Sequence, residues 1–424
     1  MDFRESLEFL YGLQRFGIKL GLETTRTLLE RAGMPQQHFL CVHVAGTNGK
    51  GSTAAFLAAI LQAAGYRVGL YTSPHLQSFC ERIRINGTAI SEAEIATLTN
   101  RLCPLSADIP VTFFEFTTVM ALCAFAGHKI DIAILETGLG GRLDATNALT
   151  ANLSLITPIS LDHQEHLGAT LEAIAGEKAG IIKEGVPVLC SEQEDEVFEV
   201  LRQQAATCHA PLFCAGRDFF VTVNNSGSFD YTDKDDHCLQ ALVSGLPGDH
   251  QPHNAALAIA AAFRLRQQGL YIGDAAIRQG LTQVYWPGRL EWWGGKRQIL
   301  LDGAHNAAGA TVLAAYLKNL KTPTLHWLVG VKNDKNFHEI LAAILPLTTR
   351  LYAVAPPEVK ATEPEKLVTV ARQANVPAQA FTSVAEGLQA ARSTCHPDDM
   401  ILVAGSLFLV GAVRELLCKE EERS

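Results

Sequence analysis

The stretch Val42-His43-Val44-Ala45-Gly46-Thr47-Asn48-Gly49-Lys50-Gly51-Ser52-Thr53 decides the fold prediction. An apolar run at residues 39–45 predicts a buried strand, and the Ala- and Leu-rich run at 53–64 predicts a helix that stops at Gly65. A strand, a glycine-rich turn and a helix together form an anion site, because free N–H groups and the positive end of the helix dipole point to one place.

Within this stretch, Lys50 is placed to reach the outer phosphates of a nucleotide, and Ser52 or Thr53 to offer a hydroxyl to Mg²⁺. The spacing differs from the standard P-loop, because Gly46 and Gly49 are too close in sequence and a glycine follows the lysine. A glycine-rich connection with a surface lysine is the alternative. The strand before the turn and the helix after it favour the phosphate-binding loop.

Composition excludes several classes of protein. The chain has 424 residues, of which 48% are hydrophobic and 19% charged, so we expect two or three folded domains. A net charge of −9 argues against a general nucleic-acid binder but allows one locally positive anion site. The ten cysteines form no C-x-x-C pair, which favours reduced thiols in the cytoplasm. We expect no signal peptide, since residues 1–20 carry charges throughout, and no membrane span, since the sequence has no 18-residue apolar run.

Strands and helices alternate after the first turn. Strands are predicted at residues 67–71, 131–135, 153–157 and 187–190, and helices at 3–13, 22–32, 91–102, 114–125 and 171–183. This alternation predicts an α/β fold with a P-loop and a doubly wound, mainly parallel sheet. Ligands bind beyond the carboxyl ends of such strands, where Gly46, Ser73, Glu136 and His163 fall.

The rest of the chain divides into an insert and a second domain. Short alternating runs at about 211–246 predict a small antiparallel insert, because Asn224-Asn225-Ser226-Gly227 breaks them. The strand–helix rhythm then restarts and predicts a second, smaller Rossmann-like α/β domain at 296–424. We expect the first domain to span 1–290 and a hinge or linker to span 286–296.

A second glycine-rich stretch follows a predicted strand: Glu136-Thr137-Gly138-Leu139-Gly140-Gly141-Arg142-Leu143-Asp144-Ala145-Thr146-Asn147. A carboxylate at a strand end that faces a P-loop suits Mg²⁺, and glycines allow the chain to approach a ligand closely. A dinucleotide fingerprint is excluded, since the third glycine and the following helix are missing. For Glu136 alone, a solvated strand end is the alternative.

Three further sites carry candidate side chains. Asp162-His163-Gln164-Glu165-His166 lacks the zinc-binding H-E-x-x-H spacing and an evident third ligand, so we favour His163 as a ligand of a second Mg²⁺ over a zinc site or a plain loop histidine. Lys178 is equally compatible with an ordinary salt bridge. Asp302 and Arg289 could hold a nucleotide, and a helix N-cap turn is the alternative.

Together these residues resemble the Mur ligase superfamily, and most closely the folylpolyglutamate synthase/dihydrofolate synthase family, from about residue 10 to residue 415. The matching motifs, in chain order, are Gly46-Thr47-Asn48-Gly49-Lys50-Gly51-Ser52, Ser73-Pro74-His75-Leu76, Phe114-Glu115-Phe116-Thr117, 136–147, Glu177-Lys178-Ala179-Gly180, His250-Gln251 with Asn254-Ala255-Ala256, Trp286-Pro287-Gly288-Arg289-Leu290, and Asp302-Gly303-Ala304-His305-Asn306. The family uses the same unusual P-loop spacing.

The resemblance implies an ATP-dependent ligase that joins L-glutamate to a folate-type carboxylate through an acyl phosphate. Implied catalytic residues are Lys50, Lys178, which matches a carbamylated lysine, and His305 near the incoming glutamate. Implied ATP-binding residues are those of the P-loop, Gly46 to Thr53, with Asn254, Arg289 and Asp302. Ser52, Ser73 and Glu136 would hold one Mg²⁺ and His163 a second, and the loop with Arg142, Asp144, Ala145 and Asn147 would bind folate.

Two other functions remain as alternatives. A Mur-type cell-wall ligase carries a substrate domain before its ATP loop, and the 45 residues before Gly46 are too few for one. A P-loop ATPase without ligase activity would need neither Lys178 beside a metal nor a second domain with Asp302 and His305. We expect a monomer that uses both dihydropteroate and reduced folates, with a closing interdomain cleft that protects the acyl phosphate from water.

Overall fold

The computed structural model describes residues 1–16, 21–224, 227–294, 298–320, 324–357 and 360–421. The chain divides into two compact units. The first comprises Met1–His75, Phe79–Gly245 and Gln251–Tyr285, and the second Leu76–Ser78, Leu246–His250 and Trp286–Ser424. The boundary at Trp286 coincides with the start of the predicted linker, whose residues 295 and 296 lie outside the described part of the chain.

An eight-stranded sheet forms the centre of the described first unit. Its strands are β1 (Leu40–Ala45), β2 (Val68–Tyr71), β3 (Ile83–Ile85), β4 (Thr88–Ala89), β5 (Ile132–Glu136), β6 (Leu153–Ile156), β7 (Val188–Cys190) and β8 (Leu212–Cys214). Their order is β4-β3-β2-β5-β1-β6-β7-β8. All neighbours from β2 to β8 pair in parallel, whereas β3 and β4 pair antiparallel, so the prediction of a mainly parallel sheet is confirmed.

Helices cover this sheet. They are α1 (Phe3–Gly12), α2 (Glu23–Arg31), α3 (Lys50–Ala63), α4 (Glu92–Leu102), α5 (Phe113–Gly127), α6 (Gln164–Leu167), α7 (Leu171–Ala179), α8 (Asp195–Thr207), α9 (Gln251–Gln267) and α10 (Asp274–Gln283). One hydrophobic core joins α1, α2, α4 and α5 to the sheet around Phe116, and another joins α7 and α8 to it around Ile174. Helix α3 contacts α9, α10 and β5.

Two helix boundaries differ from the sequence prediction. Helix α3 begins at Lys50 rather than at residue 53, because Gly49 takes a left-handed conformation (φ +85°) and starts the helix directly after it. Helix α7 ends at Ala179 rather than at residue 183. The next residue, Gly180, packs against the backbone of Arg142, where a Cβ atom would lie 2.4 Å from the Arg142 Cα, so the chain turns away there.

The predicted insert is a small antiparallel sheet. It contains β9 (Phe219–Val223), β10 (Phe229–Asp233) and β11 (Cys238–Leu242), with β10 in the middle. Tyr231 stacks on Phe219 and lies 5.6 Å from the ring of Phe263 on α9, which anchors the insert to the first unit. The insert is narrower than predicted, since β8 belongs to the large sheet.

The described second unit has a six-stranded sheet of its own. Its strands are β12 (Glu291–Trp293), β13 (Ile299–Leu301), β14 (Leu325–Val329), β15 (Arg350–Ala353), β16 (Ala378–Ala380) and β17 (Met400–Ala404), in the order β12-β13-β17-β14-β15-β16. Its helices are α11 (Ala307–Asn319), α12 (Phe337–Ile344), α13 (Pro364–Gln373), α14 (Val384–Thr394) and α15 (Leu407–Glu421). Separate cores around Trp327 and Leu328 cover the two faces, so a second α/β unit is confirmed.

No helix in the described ranges is long and apolar enough to cross a membrane. All ten cysteines are free thiols.

Candidate active site

The strand order of the first unit brings the predicted site residues to one edge. Strands β2, β5, β1 and β6 are neighbours and run in parallel, so their carboxyl ends meet. Ser73 follows β2, Glu136 ends β5, the P-loop follows β1, and Thr157 follows β6. His163 lies farther from its strand than predicted, at the start of α6.

Two glycines of the P-loop are required by close contacts. Gly46 has φ +146°, and a Cβ atom there would lie 1.9 Å from Thr157 Oγ1. Gly49 has φ +85°, and a Cβ atom there would lie 2.5 Å from Asn254 Oδ1. Asn254 is buried and donates to Gln251 Oε1 at 3.0 Å, so this predicted ATP-binding side chain is held against the loop.

Backbone donors of the P-loop fall into two groups. The N–H groups of Thr47 and Asn48 both donate to the carbonyl oxygen of Pro158, at 3.0 and 3.3 Å, so they are not the free donors that the sequence predicted. The N–H group of Thr53 donates to Gly49 in the first turn of α3. Within the described chain, the N–H groups from Lys50 to Ser52 have no such backbone acceptor, so the open donors lie at the start of the helix.

Two lysines converge on one carbonyl group of the P-loop. Lys50 Nζ donates to Gly46 O at 3.1 Å and to Thr47 O at 3.0 Å. Lys178 Nζ donates to the same Gly46 O at 2.7 Å, and its residue is only 4% exposed. Burial, and secondly the positive charge of Lys50, lowers the pKa of Lys178 to about 7. A large fraction of the Lys178 amine is therefore neutral at physiological pH.

Oxygen atoms predominate among the predicted metal ligands. Glu136 is buried at the end of β5, and its Oε2 accepts a 3.4 Å hydrogen bond from Ser73 N. Ser52 is buried in the first turn of α3, and the neighbouring Thr53 Oγ1 is buried without a hydrogen-bond partner in the described residues. Hydroxyl and carboxylate oxygens are the donors that Mg²⁺ prefers, so this set fits a hard divalent cation.

The backbone of His163 is in the left-handed region, with φ +51°. Its N–H group donates to Asp162 Oδ1 at 2.8 Å, and its ring Nε2 lies 4.0 Å from the same oxygen. Asp162 also raises the pKa of Lys178, as a smaller effect than burial. The sequence analysis proposed only His163 as a site residue here, although the carboxylate of the adjacent Asp162 also affects the charge of Lys178.

Asp144 organises the loop that follows β5. Its carboxylate accepts hydrogen bonds from the N–H groups of Gly138 and Leu139, both at 2.8 Å, and of Thr146, at 3.0 Å. Burial raises the pKa of Asp144, and these hydrogen bonds act in the opposite direction. Thr146 Oγ1 also pairs with the buried His43 Nε2 at 2.7 Å.

Most predicted folate-binding side chains support this loop from inside. Ala145 and Asn147 are buried, and Asn147 Nδ2 donates to the carbonyl oxygens of Arg142 and Gly180 at 2.9 and 3.0 Å. Arg142 is exposed, and its Nη2 donates to Glu177 Oε1 at 2.6 Å. The loop backbone and Arg142 are thus the parts left to meet a substrate, and folate binding here stays a prediction.

Sequence reasoning did not include Arg82, a buried cation of the same unit. Its Nε donates to His75 Nδ1 at 2.9 Å, and its guanidinium carbon lies 5.2 Å from the ring centre of Phe113 and 5.8 Å from that of Phe79. Burial lowers the pKa of Arg82. The segment that follows the Ser73-Pro74-His75-Leu76 motif mixes apolar and charged residues, so the sequence carried no clear signal that Arg82 is buried.

In the second unit, Asp302 follows β13 and fixes a turn. Its Oδ2 accepts from Leu290 N and its Oδ1 from Ala304 N, each at 2.9 Å, and the residue is buried. Arg289 lies against Gly303, where a Cβ atom would be 2.1 Å from Arg289 Nη1.

Two neighbouring residues complete this turn. His305 Nδ1 pairs with Gly303 O at 2.8 Å. Asn306 caps α11 by accepting from Gly309 N at 2.8 Å. Asp302 therefore stabilises the turn that leads to the N-cap of α11, as the alternative has it, although the N-cap itself is Asn306, and nucleotide binding by Asp302 stays a prediction.

Comparisons with known proteins agree with this geometry. Residues 44–262 match the Mur ligase middle domain, and residues 291–416 match the dihydrofolate synthetase C-terminal domain. The chain is 34% identical over 432 residues to the dihydrofolate synthase/folylpolyglutamate synthase of Bacillus subtilis, covering 98% of this chain and 99% of that protein.

Solved structures give the same result. Escherichia coli FolC in complex with DHPP and ADP superposes with a TM-score of 0.90 at 33% identity, over 99% of this chain and 98% of that one. The Yersinia pestis bifunctional folylpolyglutamate synthase/dihydrofolate synthase, complexed with AMPPNP and an Mn ion, gives a TM-score of 0.89 at 33% identity, over the same shares of the two chains.

The P-loop unit and the second α/β unit, with these matches, define a ligase of the Mur type. The chain belongs to the folylpolyglutamate synthase/dihydrofolate synthase family. The family and the fold expected from the sequence motifs are confirmed.

Proposed function

We propose that this chain joins L-glutamate to the carboxylate of both dihydropteroate and tetrahydrofolate, with ATP as the energy source. The observation that carries the proposal is the convergence of Lys50 and Lys178 on the P-loop carbonyl of Gly46, at the sheet edge that also holds Glu136. The B. subtilis and E. coli relatives supply the substrate class, since their names specify dihydrofolate synthase and a complex with DHPP and ADP.

A carboxylate is a poor acylating agent, so its oxygen first attacks the γ-phosphorus of ATP and ADP leaves. Lys50 and the open N–H groups at the start of α3 hold the phosphates and offset negative charge as the phosphoryl group moves. The deprotonated glutamate amine then attacks the acyl carbon. A C–N bond forms, the acyl C–O bond to phosphate breaks, and the amine loses a second proton as phosphate departs.

We assign Ser52, Ser73 and Glu136 to one Mg²⁺ and His163 to a second. The oxygen donors at the carboxyl ends of β2 and β5 and at the start of α3 support the first assignment, and the Mn ion in the Yersinia pestis relative supports a divalent cation. Bound Mg²⁺ would neutralise charge on the transferring phosphoryl group.

We assign a carbamate to Lys178. Its lowered pKa, about 7, supplies the neutral amine that adds to CO₂, with formation of an N–C bond and release of one proton. The carbamate carries a negative charge, whereas the unmodified Lys178 amine is partly protonated at neutral pH. Its oxygens would orient the metal ligands from the side of α7.

The remaining assignments rest on position within each unit. Asn254 contacts Gly49 and supports the nucleotide-binding loop. In the second unit we assign Arg289 and Asp302 to the nucleotide and His305 to the incoming glutamate. The loop with Arg142 is assigned to the folate substrate, with the buried side chains of that loop as its support.

Phosphate release in the presence of ATP, Mg²⁺ and glutamate tests the function, with dihydropteroate and tetrahydrofolate compared as acceptors. We expect release that requires both glutamate and an acceptor, and turnover with each acceptor. Absence of turnover with either acceptor would overturn the folate assignment. Phosphate release that does not depend on glutamate would favour a plain P-loop ATPase instead.

We further propose that the enzyme is a cytoplasmic monomer that acts on small molecules. The ten free thiols support a reducing compartment, and the net charge of −9 disfavours a nucleic-acid partner.

A further inference from the structure

Three potential metal ligands meet in the second unit, outside the site described above. They are His326 on β14, Cys395 directly after α14, and Asp399 directly before β17. One ligand atom from each lies within 4.8 Å of the others. Strands β14 and β17 are parallel neighbours, so the cluster lies near their amino ends, away from the carboxyl ends where ligands of such sheets bind.

The imidazole of His326 has a buried nitrogen that faces a carboxylate but makes no aligned hydrogen bond within the described chain. Its Nε2 makes no hydrogen bond in the described residues, and the residue is 5% exposed. The nearest charged atom is Asp399 Oδ2 at 3.4 Å, without hydrogen-bond alignment, and Asp399 is also buried. A buried polar atom without a partner is rare in native proteins and points to a missing ligand.

The hydrogen-bond network on the other side of the ring accommodates the tautomer that a metal ligand needs, with the proton on Nδ1. Thr394 Oγ1 lies 2.9 Å from Ala390 O, and when it donates there, Tyr352 OH donates its single proton to Thr394 Oγ1. The Tyr352 oxygen then accepts from His326 Nδ1 at 2.9 Å. In this tautomer the lone pair of the neutral imidazole lies on Nε2 and faces the carboxylate of Asp399, where a cation can bind both, whereas the other tautomer pairs Nε2–H with that carboxylate.

We propose that His326 Nε2, Cys395 Sγ and an oxygen of Asp399 bind one Zn²⁺, with a water molecule as the fourth ligand. One nitrogen, one thiolate and one carboxylate suit zinc rather than Mg²⁺. Zinc–ligand distances of about 2.0–2.3 Å place the ligand atoms of a tetrahedral site about 3.3–3.8 Å apart. The His326–Asp399 pair already matches at 3.4 Å, and Cys395 Sγ, which lies within 4.8 Å of both ligand atoms, has to move closer when the ion binds.

Binding changes the protonation of the cluster in a defined way. The Cys395 thiol loses its proton to solvent when the Zn–S bond forms, and His326 keeps its Nδ1 proton on the Tyr352 oxygen. The bound ion joins the loop between α14 and β17 to β14. It stabilises the second unit, and glutamate ligation does not require it.

The test is metal binding by the full chain. Equilibrium dialysis against buffered Zn²⁺, followed by elemental analysis, should find one zinc ion at this site, and Co²⁺ should give a thiolate charge-transfer band. Cys395→Ser should lose the band and the zinc, and Asp399→Asn is the second variant if Cys395→Ser fails to fold. Cys418→Ser, which changes another half-buried cysteine of the same unit, should keep both signals.

The candidate active site could also take up Zn²⁺, so Glu136→Gln serves as a second control. Zinc and the cobalt band should persist in that variant. Zinc that is lost with Glu136→Gln and kept with Cys395→Ser would overturn the proposal. Absence of zinc from the wild-type chain at micromolar free Zn²⁺ would overturn it as well and would leave His326 and Asp399 as a buried ion pair.

Discussion

The fold lowers the pKa of the Lys178 ammonium group, so the group loses its proton near neutral pH. Burial and the charge of Lys50 lower its pKa to about 7, and a neutral amine is what carbamylation requires. Lys178→Ala should therefore lose ligase activity and regain part of it when short carboxylates such as formate are added. Phosphate release measures both effects. Lys183→Ala, which changes a half-buried lysine outside the site, should not respond to carboxylates, and a fully active Lys178→Ala enzyme would remove Lys178 from the mechanism.

Substitution of Lys50 tests whether the P-loop binds the phosphates of ATP. Lys50→Ala should abolish turnover, since its ammonium is the side-chain cation in the P-loop that can follow the moving phosphoryl group. Its melting temperature should stay near that of the wild type, because the two acceptors of Lys50 are loop carbonyls rather than buried charges. Lys318→Ala, on the exposed side of α11, is the matched control and should retain activity.

The buried His43 makes the free energy of unfolding decrease as the pH falls. Burial, and secondly the charge of Lys183, lowers its pKa from 6.5 to about 3 in the folded chain. Between these pH values the unfolded state binds more protons. The stability contribution is thus complete above pH 6.5 and is lost as pH falls towards 3, by at most about 1.4 kcal/mol per pH unit.

Urea unfolding at pH 6.5 and pH 4.5 measures this contribution. His43→Gln should show a smaller drop in unfolding free energy between the two pH values than the wild type shows. His209→Gln, which replaces an exposed histidine, should keep the drop of the wild type. An equal drop in both variants would mean that His43 is not the group that titrates.

Single residues were only partly predictable from sequence. The P-loop residues could be found because a predicted strand and a predicted helix flank the glycine-rich turn that contains Lys50. The environment of Lys178 could not be predicted, because the hydrogen bond of its amine is to the carbonyl group of Gly46, 132 residues away in the sequence. The same holds for Asp144, whose buried hydrogen bonds to the backbone of the loop after β5 could not be predicted from the motif.

At the scale of elements, the glycines of the phosphate loop give a direct prediction. Gly46→Ala should lower kcat/KM by about 100-fold, since a misplacement of about 1 Å can cost that much and the new Cβ would meet Thr157 Oγ1 at 1.9 Å. Steady-state kinetics measures the loss. A Gly46→Ala enzyme with wild-type kinetics would show that the loop tolerates a side chain.

Gly176→Ala on α7 is the matched control for this substitution. No atom lies within 4 Å of the new Cβ, and φ there is ordinary for a helix. The variant should keep its activity and gain about 0.5–1 kcal/mol of unfolding free energy, because alanine suits a helix interior better than glycine.

Element types were predicted better than element ends. The start of α3 depends on the left-handed Gly49, and the end of α7 depends on the contact between Gly180 and Arg142, neither of which periodicity reveals. The hairpin β3–β4 was missed because its strands are only three and two residues long. Thr112 and Glu115 form a reciprocal capping box on α5, a signal that was present in the sequence but not used.

For the whole molecule, alternation of strands and helices was sufficient to predict two α/β units. The strand order was not predictable, because β5 inserts between β2 and β1 and only the folded sheet shows this. The pieces Leu76–Ser78 and Leu246–His250 belong to the second unit although the first unit flanks them in sequence. A single boundary in the sequence, such as the predicted one at residues 286–296, therefore cannot describe the two units.

The oligomeric state is a prediction for the whole chain. Sedimentation velocity should show one species with the 45.9 kDa mass of the monomer, since the net charge of −9 opposes self-association. The mass should not change on addition of an ATP analogue and Mg²⁺. A concentration-dependent shift towards twice this mass would contradict the monomer.

The hydrogen bond from Lys178 to Gly46 O has a metabolic consequence under the proposed mechanism. Carbamylation leaves one N–H group on Lys178 Nζ to donate to Gly46 O, and it adds a negative charge beside Lys50, the second lysine on that carbonyl. The charge beside the phosphate loop then varies with the supply of inorganic carbon. Folate elongation by this enzyme would follow the bicarbonate status of the cell, which would join one-carbon metabolism to dissolved CO₂ without a dedicated regulatory site.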